Sequence, residues 1–307
     1  MSVLAAHADW SVDARKRWMA VARPVDRGWR VRVEPVGDVA TLFARLRAEA
    51  AGAPVALGVD FPLGLPRDYA LRHGLGLPDF PAFLRGLAQR PEFFRVCSTL
   101  DEVTPARPFY PQRGGRGMTW LSHAQALGMA DAAGLHRACD RATATRPAGA
   151  PLFWTLGANQ TGKAGLAAWH DLLLPALATP DPPALWPFEG PFRALLQPGG
   201  VAVAETYPAE AMRQLGLKLG GSKRRHSDRL RLASPLRGAM LRLDARPERG
   251  LDLLLEQGLG ADAAAEDRLD CLLGVLNVLL VLTGGRPDTA PADPWVQHWE
   301  GWVLGQT

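Results

Sequence analysis

The residues best placed to do chemistry in this chain are acids at the ends of short apolar runs. Asp9 closes LAAHAD, Asp60 closes VALGVD and Glu205 closes VAVAE. A further group, Glu266, Asp267 and Asp270, opens a long apolar stretch in the run EDRLD. At helical spacing Asp267 and Asp270 share a face, and Glu266 lies one turn before Asp270. Acids gathered in this way repel one another unless a cation lies among them. Hard divalent ions with oxygen ligands, Mg²⁺ or Mn²⁺, suit such a set. Two of them ~3.5–4 Å apart can activate a water and stabilise the leaving oxygen in phosphodiester cleavage. Asp9, Asp60, Glu205 and Asp270 are therefore expected to be metal ligands or water activators, with Asp267 as an alternative ligand. An acid at a strand end also meets solvent or caps the next helix, and acids in a first helical turn complement the helix dipole. What favours the metal reading is the set: Asp60 and Glu205 follow wholly apolar runs and Asp270 starts an apolar helix, where a carboxylate needs a partner.

Basic residues supply candidates for holding substrate. In RPFYPQRGGRGMTW, Arg113 and Arg116 are interleaved with Phe109, Tyr110 and Trp120. Arginines for phosphates and aromatic faces for bases are what a single-stranded nucleic-acid groove needs, although a solvated loop has the same composition. Lys223 and Arg224 lie in the basic run SKRRHSDRLR, which reads equally as an ordinary charged loop. Lys163 lies in GANQTGKA, which nearly satisfies the P-loop pattern. Position 164 is alanine, so the hydroxyl that would hold Mg²⁺ is missing, but a glycine-rich turn entering a helix can still offer N–H groups to a phosphate. The histidines show no H-E-x-x-H spacing, and His7 reads as a packed or surface residue. No G-x-S-x-G elbow is present.

The elements that would position these residues follow from periodicity. Alternation predicts strands over Val3–Trp10, Arg17–Arg23 and Gly28–Pro35, joined by turns short enough to require an antiparallel meander. Val39–Ala51 has apolar residues at helical spacing, and Pro54–Val59 and Val201–Thr206 are short apolar runs expected of strands buried on both faces. Helices are predicted over Pro208–Leu215, Pro235–Asp244, Arg249–Gln257 and Ala261–Thr283. The stretch from about 67 to 200, rich in Pro, Gly, Arg and aromatics, reads as an insertion or cap, with helical pieces around Phe80–Gln89, Trp120–Asp131 and Leu166–Leu177. The expected architecture is α/β: one domain over 1–307 with a mixed five-stranded sheet, flanking helices and that insertion.

Composition narrows the class. With 307 residues, 47% hydrophobic and 21% charged, the chain can bury a substantial core and is not of disordered type. Cys97, Cys139 and Cys271 are far apart and form no C-x-x-C pair, which argues against a disulfide framework and fits a reducing, cytoplasmic setting. The apolar run Cys271–Leu282 is broken by Asn277 and is too short to span a bilayer, so no membrane partner is expected. A net charge of +4 permits a polyanionic partner without requiring one. Oligomeric state is not legible.

Four segments carry a family resemblance: GVDFPLGLP (58–66), AETYPAE (204–210), EDRLDCLLG (266–274) and EGWVLG (300–305), with GANQTGKAGLAAW and WPFEG matching a subgroup. The chain resembles the RNase H-like nucleases catalogued as domain of unknown function 429. The resemblance implies an RNase H-like fold with Asp60, Glu205 and the Asp267/Asp270 pair at the family's acidic positions, and Asp9 as the acid of the first strand. The chain departs from the family after Asp9, where Trp10 stands in place of a small residue. The function expected is a metal-dependent nuclease or phosphodiesterase acting on nucleic acid or a smaller phosphoester. Two alternatives remain open: a non-catalytic nucleic-acid-binding or regulatory protein on the same fold, and an ATP-using phosphotransferase of actin-like type.

Overall fold

Six consecutive residues of LAAHAD are buried, as a strand enclosed on both faces requires, and this strand organises a sheet. The computed structural model describes residues 2–143, 146–157 and 161–307. Its strands are β1 (Leu4–Asp9), β2 (Trp18–Pro24), β3 (Trp29–Pro35), β4 (Val55–Val59), β5 (Ala184–Leu185), β6 (Val201–Glu205) and β7 (Ala245–Pro247). They form one seven-stranded mixed sheet in the order β5-β6-β4-β1-β2-β3-β7. The protein is thus of α/β class, with seven strands in place of the expected five. The two additional strands are only two and three residues long, too short to show a hydrophobic period.

Two compact units divide the chain. The first comprises residues 1–60, 189–289 and 303–307. Within it β1 runs antiparallel to β2, with Asp9 opposite Trp18, and β2 runs antiparallel to β3. A short 3₁₀ turn at Val39–Thr41, capped by the Asp38 carboxylate, leads into the helix Leu42–Ala50. That helix buries Leu42, Phe43 and Leu46, the positions its spacing selects. The crossover returns the chain to β4, parallel to β1, and β6 lies parallel to β4 on the far side.

The helix Ala265–Leu282 packs on β1, β2 and β4 and is buried along nearly its whole length. A helix apolar all round belongs in a core, and this one brings its acidic first turns to the end of the strands. It starts later than the sequence suggests, because the Asp262 carboxylate accepts the Ala264 N–H and ends the preceding turn there. The helix predicted from Pro235 begins at His226 instead, and Pro235 lies inside His226–Arg242.

The second unit comprises residues 61–188 and 290–302 and consists of short helices and turns. Its core is aromatic: Tyr69, Phe83, Phe93, Phe109 and Phe153 meet in edge-on and tilted contacts, Tyr69 and Phe153 at 4.6 Å between centroids, and Trp169 stacks on Phe93. Buried Arg137 is held by Asp140 at 2.9 Å. Among the described residues no helix is long and apolar enough to cross a membrane.

Candidate carboxylate site

Strand register sets the first two acids side by side. Ala8 of β1 is level with Val59 of β4 in the parallel pair, so the next residues, Asp9 and Asp60, leave the sheet together and on the same face. Their carboxyls hydrogen-bond to each other, and the Asp60 Oδ1 also accepts the Trp10 N–H at 2.6 Å. Burial, followed by the negative charges of Asp60 and Asp270, holds Asp9 well above the ordinary carboxylate range. Burial also pushes Asp60 up, to about 7, although the Asp9 hydroxyl and the Trp10 N–H favour its ionised form. The pair therefore keeps a proton near neutral pH, carried on Asp9 and donated to Asp60.

Asp270 faces them from the helix Ala265–Leu282. Burial raises its pKa against the opposing pull of Lys223, whose Nζ lies 2.7 and 2.5 Å from the two carboxylate oxygens. Lys223 itself is pulled down by burial but raised on balance by Asp270. Asp267 is pushed up to about 6 by burial and by the charges of Asp270 and Glu266. Four carboxyls thus interact at one end of the sheet, and one ammonium is committed to one of them.

Glu205 does not join this face. It is level with Val59, and successive residues of a strand alternate in direction, so its side chain points to the opposite side of the sheet from Asp9 and Asp60. The residue that follows β6, Thr206, falls on the acidic face, and its N–H donates to the Val59 carbonyl at 2.7 Å. Sequence reasoning found the right strand end but not its pleat, because the register between β4 and β6 is set across more than a hundred residues.

His7, two residues before Asp9 on the same face, is fully buried. Gly58 and Gly274 make room for its ring: a Cβ on Gly274 would lie 2.2 Å from the imidazole. Burial depresses His7 to about 3, so the ring is neutral, and among the described residues neither ring nitrogen has a hydrogen-bond partner.

The other basic candidates lie elsewhere. Arg224 is exposed and pairs with Glu266 at 3.4 Å. Arg113 and Arg116 occupy an exposed loop of the second unit. Lys163 is on the helix Thr161–Ala168 of that unit, while residues 158–160 of GANQTGKA lie outside the described residues. Among the described residues no strand leads into this segment, and Trp154 makes only an isolated bridge with Tyr110, unlike the strand that precedes a P-loop.

Among the described residues, no three His, Cys, Asp or Glu side chains are gathered closely enough to hold a metal ion. The placements explain it: Glu205 faces away and Asp270 is turned to Lys223. No protein-family model matches this chain, and neither does any curated protein or solved structure.

Proposed function

We propose that the protein is a metal-dependent phosphodiesterase or nuclease on an RNase H-like sheet, with Asp9 and Asp60 holding the ion. The observation that carries this reading is the Asp9–Asp60 pair: two carboxyls at the ends of adjacent parallel strands, sharing a proton and facing a third acid. Among the described residues neither forms a salt bridge, and the Lys223 ammonium, which also feels the Asp9 charge, is bonded to Asp270 instead. Support also comes from the strand order β3-β2-β1-β4-β6, an antiparallel meander continued by two parallel strands, and from the sequence resemblance given above.

The donor set fits Mg²⁺ or Mn²⁺, since it consists of carboxylate oxygens. When bound, such an ion lowers the pKa of a coordinated water and polarises a phosphoryl oxygen. The chain's own part is to lose the proton shared by Asp9 and Asp60, to hold the Asp60 carboxylate in place through the Trp10 N–H, and to exclude water from behind the pair with the packed helix. Lys223, by neutralising Asp270, favours a second reading, a nucleic-acid-binding protein without catalysis.

Incubating the protein with single- and double-stranded DNA, RNA and small phosphodiesters, with Mg²⁺ or Mn²⁺, separates the two. Cleavage is expected in at least one substrate class and is lost in Asp60→Asn. Binding without cleavage in every class supports the second reading.

A further inference from the structure

Three arginines stand in register across one edge of the sheet. Arg23 of β2 is level with Arg30 of β3, and Arg30 is level with Arg246 of β7. Residues in register share a face, and adjacent strands lie ~4.8 Å apart, so the row spans about 10 Å. All three residues are exposed, and among the described residues none of them forms a salt bridge, the nearby acids Asp26, Asp244 and Glu248 included. Like charges directly opposite one another destabilise a sheet. Arg32, two residues along β3 on the same face, is by contrast clasped by Glu34 at 2.9 Å and by Glu49 of the helix Leu42–Ala50 at 2.6 Å. A charge on an edge strand blocks edge-to-edge pairing, but that accounts for Arg246 alone, since β7 ends the sheet while β2 and β3 lie inside it.

We propose that this row is a docking surface for the phosphate backbone of nucleic acid, separate from the acidic site. Each guanidinium offers a fork of N–H donors that matches two phosphate oxygens, and none has to leave an internal ion pair to do so. Beside the arginines, this face of β2 and β3 carries Met19, Val21, Arg32 and Glu34 and no aromatic residue. The surface therefore reads backbone charge and does not stack bases. Among the described residues no exposed large apolar side chain lies on the three strands, so the surface lacks the apolar face that sits in a lipid interface. Asp9 is opposite Trp18 at the start of β2, whereas Arg23 has the other pleat and lies near the far end of that strand. The row thus occupies the opposite sheet face and the opposite strand end from the acids, and it does not depend on the metal reading.

Fluorescence anisotropy of short labelled oligonucleotides, single-stranded and duplex, measured in EDTA over a range of NaCl concentrations, tests this. The wild type is expected to bind both forms without sequence preference. In Arg23→Gln/Arg30→Gln/Arg246→Gln the slope of log K against log salt should shrink by about 2 for single strands and about 3 for duplex, as the loss of three phosphate contacts requires. Removing like charge relieves repulsion, so the melting temperature of this variant should not fall. Arg30→Gln alone, with a change in slope of about 1, serves should the triple variant fail to fold. A charge-matched control at exposed arginines of the second unit, Arg72→Gln/Arg85→Gln/Arg95→Gln, should keep the wild-type slope. No binding by the wild type, an unchanged slope in the row variant, or an equal loss in the control would overturn the proposal. Row-dependent binding to vesicles of phosphatidylcholine and phosphatidylserine that exceeds binding to oligonucleotide would overturn it in favour of a membrane surface. Cleavage is not measured, so each outcome leaves the metal reading where it stands.

Discussion

In the unfolded chain Asp60 titrates at its ordinary value of 3.8; buried in the fold it titrates at about 7. Below both values each state carries the proton, and the contribution to stability is fully present. As pH rises the unfolded chain ionises first, so the folded state binds more protons and stability falls until the fold ionises too. Asp9, raised by burial and the same neighbours, acts in the same sense. Without metal, the wild type is therefore expected to lose stability relative to Asp60→Asn between about pH 4 and pH 7. The amide keeps an acceptor for the Trp10 N–H and can donate to Asp9. By pH 8 the variant should be the more stable by on the order of 1 kcal/mol. Chemical denaturation across that range checks the difference; parallel curves would show that the pair is not coupled in this way. At this scale the acids were legible from their places at the ends of apolar runs. The partnership of Lys223 with Asp270 was not, because 47 residues separate them and no local spacing rule joins the two.

Two elements decide which side chains share the site. The first is β6, whose pleat turns Glu205 away from Asp9 and Asp60. Glu205→Gln should therefore keep the Mn²⁺-induced gain in melting temperature that Asp60→Asn loses, and equal loss in both would mean that Glu205 reaches the ion. The second is the helix Ala265–Leu282, seated on β1 through the approach of Gly274 to the His7 ring. Gly274→Ala is expected to cost roughly 1–3 kcal/mol or more by overpacking. In a His7→Ala background most of that cost should vanish, giving a coupling of about 1 kcal/mol or more in a double-mutant cycle of denaturation midpoints. Additive effects would place the strain elsewhere. The helix Leu42–Ala50 and strands β1 to β3 were readable because each carries its own period over five or more residues, and β4 and β6 because each is a short continuous apolar run. The short strands β5 and β7 carry none, and Pro235 misled because a proline marks a helix start more often than a helix interior.

For the molecule as a whole, a net charge of +4 coexists with four interacting acids at one sheet end. Global charge therefore says little about that end, where local burial and like charge dominate. Strand order and acid placement together support the proposed chemistry, and both depend on pairings between segments far apart in sequence: β4 meets β6 across residues 60–200. Such register is invisible to local patterning, which is why the set of acids was read one residue out at Glu205. The central claim, that Asp9 and Asp60 hold a divalent ion, is tested most directly by thermal melts of wild type and Asp60→Asn at pH 8 with increasing Mn²⁺. An ion that binds only the folded state stabilises it by mass action, by about 2.7 kcal/mol at a hundred times its dissociation constant. The wild type should rise by several degrees and the variant should not move. A flat wild-type curve up to millimolar Mn²⁺, or an equal rise in both proteins, would contradict the account.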